Sequence, residues 1–283
     1  MEELKNTEEK ENKHSKLKII IFIILLIVSF SYIYMRYIAT YGFIVKEYSV
    51  IDENLNEHFN GLKIAHLSDI HYATIGKEKL ESIVKEVNII KPDIIVFTGD
   101  LYDEYSTLTE DMKDKMSEAL SKLDAPLGKY AVSGNHDYSY VGYDELIQRC
   151  GFTYLNNESK LIYYMGDKPL EIVGYSDEAK GNPNYDINLT DNYKIALIHE
   201  GDSFNKIKNK NFNLVLAGHS HGGQIRLPFI GGLKKIEGAK LYYDEHYTYN
   251  KTNLYISYGL GETKYKLRAF NKPSFNLYRL YNK

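Results

Sequence analysis

Five times along the chain a short apolar run stops abruptly at a Ser, Gly or His, and this repetition constrains the fold more than any other feature. Residues 61–67 (GLKIAHL) run into Ser68 and Asp69, 94–98 (IIVFT) into Gly99 and Asp100, and 129–133 into Gly134 and Asn135. Residues 194–198 (KIALI) end at His199, and 214–217 at Gly218 and His219. Such runs are too short for core helices and, bounded by chain-breaking residues, read as strands buried on both faces. Further strands are expected at 170–173, 254–257 and 275–280. Leu80, Ile83, Val84, Val87 and Ile90 recur at helical spacing until Pro92 stops them, and helices are also expected around 108–123 and 143–149. Alternating strands and helices define an α/β layered domain. The polar stretch 176–192 should be a surface loop.

One segment stands apart. From Ile19 to Met35 the chain reads IIIFIILLIVSFSYIYM without an ionisable charge. With Leu17 and Tyr37 it approaches the roughly 20 residues that span a bilayer. Lys5, Lys10, Lys13, Lys16 and Lys18 precede it, whereas only Arg36 and Lys46 follow closely. The positive-inside bias then leaves the amino terminus in the cytoplasm and everything after Tyr37 outside it. No small-x-small cleavage site follows, so an uncleaved single-pass anchor in the cell membrane is expected rather than a signal peptide. The expected organisation is a cytoplasmic segment (1–18), a transmembrane anchor (19–38), a connector (39–60) and one domain (61–283).

Composition narrows the chemistry. A formal charge of −3 gives no global basic field, and no nucleic-acid partner is indicated. Cys150 is the single cysteine, which excludes a thiolate zinc cage; it reads as a small buried hydrophobe. Any metal must therefore be held by His, Asp, Glu or Asn. Those residues gather at the strand ends, where open α/β sheets bind ligands: Asp69 with His71, Asp100, Gly134 to Asp137 (GNHD), His199, and Gly218 to Gln224 (GHSHGGQ). In Asp-x-His and His-x-His the two side chains lie on the same side of an extended backbone, so each pair can grip one ion. The collection suffices for two first-row divalent ions, with Mn, Fe and Zn all compatible. Two such ions roughly 3.5–4 Å apart would polarise a phosphoryl oxygen and turn a shared water into hydroxide. Asp100, ending the central IIVFT strand, is the expected bridging carboxylate.

Taken in order, Asp69-Ile70-His71, Gly99-Asp100, Gly134-Asn135-His136-Asp137, His199 and Gly218-His219-Ser220-His221 resemble the calcineurin-like metallophosphoesterases. The resemblance covers the chain from about Leu62 onward. It implies a two-sheet β-sandwich flanked by helices, one ion on Asp69, His71 and His221, and another on Asn135, His199 and His219, with Asp100 between them. It further implies that hydroxide bridging the ions attacks directly, that His136 serves as general acid, and that Asp137 orients His136 or closes its loop. The segment GHSHGGQIRLP, with His199-Glu200-Gly201-Asp202 and Gly259-Leu260-Gly261, resembles the membrane-associated branch that includes UDP-2,3-diacylglucosamine pyrophosphatase-like enzymes. Gly201 departs from that branch's usual proline, Ser220 from threonine and Tyr258 from arginine. The expected substrate is a phosphodiester, pyrophosphate or monoester, with lipid-linked and envelope esters favoured by the anchor. Sequence leaves the oligomeric state open. The alternative is a non-catalytic metal-binding envelope protein, against which His136 argues because a structural site has no use for it. A redox enzyme lacks any flavin or haem motif. His14, His58 and His246 read as structural, and His66, inside the first strand, as packed or backing the site.

Overall fold

The computed structural model describes residues 2–283, with side chains from Asn12 onward. Two six-stranded sheets form the framework. The first contains Ile44–Asp52 (β1), Lys63–Leu67 (β2), Ile94–Phe97 (β3), Lys129–Ala131 (β4), Thr153–Tyr154 (β5) and the C-terminal strand Ser274–Asn282 (β14). The second contains Glu158–Ile162 (β6), Leu170–Gly174 (β7), Tyr193–Leu197 (β8), Leu214–Ala217 (β9), His246–Tyr249 (β12) and Thr252–Ile256 (β13). A two-stranded ribbon, Arg226–Leu227 (β10) and Gly231–Gly232 (β11), lies outside both. The spatial orders are β1-β14-β2-β3-β4-β5 and β12-β13-β9-β8-β7-β6. In each sheet the central strands are parallel: β2 to β5 in the first, and β13, β9, β8 and β7 in the second. This explains the unbroken apolarity of IIVF and LVLA, since a central parallel strand is covered on both faces.

Helices Tyr72–Ile90 (α2), Glu110–Leu120 (α3) and Tyr143–Arg149 (α4) cover the outer face of the first sheet. The apolar stripe of α2 does what its spacing requires: Leu80, Ile83, Val84 and Val87 are buried against Phe97, Met116 and Ile147. Lys91 turns left-handed at φ 53° to end this helix before Pro92. Thr109 starts α3 by accepting the Met112 amide at 3.2 Å. Between the sheets pack Ile64, Val96, Ile172, Ile195, Leu216 and Tyr278, each large apolar side chain worth about 1.5–3 kcal/mol when buried. Cys150 is buried, and burial pushes its thiol up to about 12, as suits an inert apolar filler.

The expected strands are present, and the stretch expected as a connector also holds one. Residues 39–60 include β1, which pairs with β14 in parallel from Ile44–Ser274 to Asp52–Asn282. The strand escaped notice because it is a sheet edge, with Val50 its one buried residue, so its sequence carries no apolar run. Strands β6 and β12 were missed for the same reason: each is an edge paired to a single neighbour. The stretch 176–192 contains no strand or helix, as expected of a loop.

The helix Glu2–Ile33 (α1) continues into a single π turn, Tyr34–Ile38. Within it lies the one helix among the described residues long and apolar enough to cross a membrane. Ile19, Phe22, Leu25 and Phe30 all point away from any protein core. Of the lysines that set the expected orientation, the side chains of Lys5 and Lys10, like Met1, lie outside the described residues. The end of the helix is held to the domain: the Arg268 amide donates to Met35 O at 3.1 Å, the Phe270 amide to Tyr34 Oη at 3.3 Å, and Lys79 Nζ to Thr40 O at 3.3 Å.

Candidate metal centre

The polar clusters of the five parallel strands meet where the C-terminal edges of the two sheets converge. β2 delivers Asp69 and His71, β3 delivers Asp100, β4 delivers Asn135 to Asp137, β8 delivers His199, and β9 delivers His219 and His221. The turns that do so are strained. Asp69, His71, Asp100, His219 and His221 all have positive φ, between 42° and 64°, a region that side-chain-bearing residues rarely enter. Strain of this kind persists at functional sites when the surrounding fold over-determines it. Glycine makes the close approach possible: a Cβ on Gly99 (φ 93°) would sit 2.3 Å from the Gly134 nitrogen, and one on Gly218 would sit 1.9 Å from Ser68 Oγ.

Two triads hold the expected ligands, Asp69 with His71 and His221, all buried, and Asp100 with His199 and the half-buried His219; a third group joins His71 to Asp103 and His136. In the first, the Nε2 atoms of His71 and His221 face each other at 3.2 Å, and Asp69 Oδ1 lies 3.4 Å from His221 Nε2. In the second, His199 Nε2 lies 3.1 Å from His219 Nδ1. Asp100 Oδ2 reaches both, 3.3 Å from His199 Nε2 and 3.6 Å from His71 Nε2, and is also 3.9 Å from His136 Nε2.

These donors fit divalent ions. Imidazole nitrogens converge in pairs with no acceptor between them, and the buried Asn135 Oδ1 has no hydrogen-bond partner among the described residues. Backbone carbonyls set the ring tautomers: His199 Nδ1 donates to Thr98 O at 2.6 Å and His219 Nε2 to Glu237 O at 2.7 Å, leaving the opposite nitrogens as lone-pair donors toward the cluster. Electrostatics agree. Burial pushes His71 down to about 3 and lowers His219 and His221, so these rings stay neutral. Burial opposes ionisation of Asp100, but the facing His199, His136 and His71 hold its carboxyl well below the usual range. His199 is the exception: burial works against its proton, yet Asp100 and Asp69 raise it well above the usual range. A cation between them would replace that proton, which is why ion uptake by such sites releases protons.

Asp69 is backed by a chain of hydrogen bonds running out of the core. Asn276 Nδ2 donates to Tyr278 Oη (2.8 Å), which bonds His66 Nδ1 (3.2 Å); His66 Nε2 bonds Thr98 Oγ1 (2.8 Å), which donates to Ser68 Oγ (2.8 Å), and Ser68 donates to Asp69 Oδ2 (2.5 Å). The donor directions agree throughout only if His66 is neutral with its proton on Nε2, and burial pushes this histidine down to about 3. His66 therefore backs the site.

His136 lies at the mouth, its ring edge-on to His71 with centroids 4.9 Å apart. The Glu104 amide donates to its Nδ1 at 3.2 Å, and Asp103 Oδ1 lies 3.8 Å from the same atom. The Asp137 carboxylate accepts the amides of Asp100 (2.8 Å), Leu101 (3.0 Å), Tyr102 (3.4 Å) and Gly134 (2.8 Å). It makes no hydrogen bond to the His136 ring among the described residues.

Sequence reading passed over Asp103, although its place three residues after Asp100 in GDLYD, on the turn after β3, was a signal. It also passed over Arg268, which no local pattern marks. This fully buried guanidinium donates from Nη2 to Tyr258 O (3.0 Å), Gly259 O (3.1 Å) and Gly261 O (2.6 Å), lies 3.4 Å from His221 Nδ1, and faces Glu262 at 3.5 Å. A buried cation thus stands behind the first triad, ten residues after Tyr258 in the chain.

A cleft of about 440 Å³ opens above the two triads. Its floor includes Asp100, Asn135, His136 and His219, and one wall is apolar, built by Ile225, Leu233, Ile236 and Leu267.

Comparison with known proteins agrees with this arrangement. The sequence profile of the calcineurin-like phosphoesterases matches residues 62–223. YkuE of Bacillus subtilis, an uncharacterised metallophosphoesterase, is 34% identical over 259 residues, 88% of this chain and 89% of that protein. LpxG of Chlamydia muridarum, a UDP-2,3-diacylglucosamine pyrophosphatase, is 26% identical, covering 78% of this chain and 84% of its own. The phosphodiesterase YaeI of Escherichia coli is 29% identical over 77% and 82%.

Proposed function

The chain belongs to the calcineurin-like phosphoesterases, and on that premise we propose that it is a membrane-anchored hydrolase that binds two divalent ions and cleaves phosphate esters carried on lipid-linked or envelope molecules. The observation that carries this reading is the position of Asp100 Oδ2, within 3.6 Å of a nitrogen from each triad. Asp69, His71 and His221 would hold one ion, Asn135, His199 and His219 the other, and Asp100 both. When bound, such ions polarise phosphoryl oxygens and acidify water. Donors of this type suit Mn, Fe or Zn.

The chain's own groups supply the rest. Because His136 Nδ1 accepts the Glu104 amide, the neutral ring carries its proton on Nε2, the atom nearest Asp100. From there the neutral ring would donate a hydrogen bond to a phosphate oxygen, and a ring that has taken up a second proton would pass the Nε2 proton to the departing alkoxide and return to the neutral form. Asp103 Oδ1, 3.8 Å from Nδ1, places a carboxylate beside the ring nitrogen opposite the one that faces Asp100. Asp137 keeps the loops of Asp100 and His136 in register through four amides. The apolar wall receives the non-phosphate part of the ester, which suits a substrate with a hydrocarbon portion. A pyrophosphate-linked lipid, as the name of LpxG states for that relative, has this shape. α1 would span the cell membrane once, with the amino terminus in the cytoplasm and residues 39–283 outside it.

Purification without chelator, elemental analysis and a screen of mono-, di- and pyrophosphate esters including phospholipids tests the reading. Two ions per chain and release of phosphate or alcohol are expected; less than one ion at full loading with no ester cleaved overturns it. His136→Ala separates enzyme from binding protein, because it should keep both ions while turnover falls by about 10²–10⁴-fold. Protease access to intact cells tests the topology: protection of the region after Tyr37 would reverse it.

A further inference from the structure

The ribbon β10–β11 carries at its turn the residues Leu227-Pro228-Phe229-Ile230, and nothing in the fold explains their exposure. Phe229 is 109% exposed and Ile230 is 68% exposed, while neighbouring Leu233 is 57% exposed. An isolated exposed leucine is ordinary, but a contiguous apolar turn on a soluble surface marks an interaction site. Its surroundings specify the partner. Arg226, Phe229, Ile230 and Phe270 line one groove, and the Phe270 ring lies 5.7 Å from that of Tyr34, in the turn that ends α1. The Phe270 amide also bonds Tyr34 Oη, and the adjoining Arg268 amide bonds Met35 O. The apolar turn is thus tied through Phe270 to the C-terminal end of the apolar helix. Tyr37, Ile38 and Tyr41, which follow Tyr34 in the chain, are exposed as well. Lys234 and Lys235 follow Leu233 in the chain and Lys264 and Lys266 precede Arg268; none forms an ion pair among the described residues, although Lys235 lies over the Tyr243 ring and Lys264 over Tyr105 and Tyr265, whereas Asp244 and Glu237 pair with Arg226 and Lys240. Aromatic and apolar residues rimmed by unpaired lysines are the composition of a surface that meets anionic headgroups and dips below them.

The geometry points to the β10–β11 turn as a second membrane contact, with Phe229 and Ile230 inserted in the same leaflet from which α1 emerges. Ile225 and Leu233, on either side of the ribbon, belong to the apolar wall of the catalytic cleft. Insertion of the turn would therefore join that wall to the bilayer surface, so that a lipid-linked phosphate reaches the triads without its hydrocarbon crossing water. The inference rests on the proposal that α1 is an anchor, and the experiment separates the two.

The chain contains no tryptophan, so a single introduced indole reports alone. Full-length Phe229→Trp, Val28→Trp within α1, and Val141→Trp on a remote exposed loop are each reconstituted in vesicles of phosphatidylglycerol and phosphatidylethanolamine, with or without dibrominated acyl chains. Expected are strong quenching and a blue-shifted emission for Phe229→Trp and Val28→Trp, and neither for Val141→Trp. Quenching at Val28→Trp with water-like emission at Phe229→Trp overturns the second contact and leaves the anchor standing. Absence of quenching at both overturns both. A blue shift at Phe229→Trp without quenching means the turn packs on protein, including a second copy, and also overturns the inference. As a functional arm, Phe229→Glu with Ile230→Glu should lower hydrolysis of a bilayer-embedded ester about tenfold or more while sparing a soluble one. Equal loss on both overturns the role in substrate access, and the quenching result stands whatever ester the chain prefers.

Discussion

The two triads use similar ligands but have opposite backgrounds. Behind Asp69, His71 and His221 stands the buried cation of Arg268, in contact with His221. Beside Asp100, His199 and His219 stands Glu200, whose carboxylate accepts the Glu178 and Ala179 amides and acts electrostatically on both histidines. Burial and Glu200 push the adjacent Asp177 up to about 8, so near neutral pH this pair carries one negative charge, placed on Glu200. Like charge behind a site weakens its hold on a cation and opposite charge strengthens it. The difference teaches that similar ligand chemistry need not give similar affinity: the His199 side should load first and the His71 side exchange more readily.

The most damaging change to this pairing is Asp100→Asn, which removes the carboxylate common to both halves. Activity should fall roughly 1000-fold, a loss of the order seen when the main transition-state charge stabiliser is removed, and elemental analysis should show less than full loading of either half. Retention of two ions and of turnover would break the scheme.

Arg268→Met attacks the background of the first half alone. It strands Glu262, so calorimetry should show a loss of about 3 kcal/mol or more, while the folded fraction binds its weaker ion more tightly and the two steps of an ion titration draw together. Glu200→Gln acts from the other side, with a smaller effect. Loss of a charge behind the ligands should weaken the tighter step about 10-fold, again narrowing the gap but with little change in the other step. If neither variant moves the gap, the backgrounds do not set affinity.

The mildest test concerns the chain behind Asp69. His66 is neutral in the native state, pushed down to about 3, against about 6.5 when unfolded. Between those values the unfolded state binds the extra proton, so this contribution is complete above pH 6.5 and is lost as pH falls toward 3. Acid titration of chelated protein followed by circular dichroism should therefore show stability falling below pH 6.5, with a shallower slope in His66→Gln. An unchanged slope would remove His66 from the account.

Much of this centre was legible because ligands at strand ends sit next to apolar runs that announce the strands. IIVF followed by Gly99-Asp100, and LVLA followed by Gly218-His219, reveal both the element and its cargo in one local stretch. Edge strands gave no such sign, since β1 pairs on one side only and spaces its few apolar residues among charges. Asp103 was legible in principle, but its meaning depends on facing His136, which lies on another strand's turn.

By itself the sequence determined the long apolar N-terminal segment, the layered α/β class and the list of candidate ligands, because hydrophobic period and residue chemistry are local properties. Which nitrogen faces which, that Arg268 stands behind one triad, and that Phe229 lies near the end of the apolar N-terminal helix were decided only by tertiary structure. Those relations join residues tens to hundreds of positions apart, and the packing of two sheets sets their distances, which no local pattern encodes.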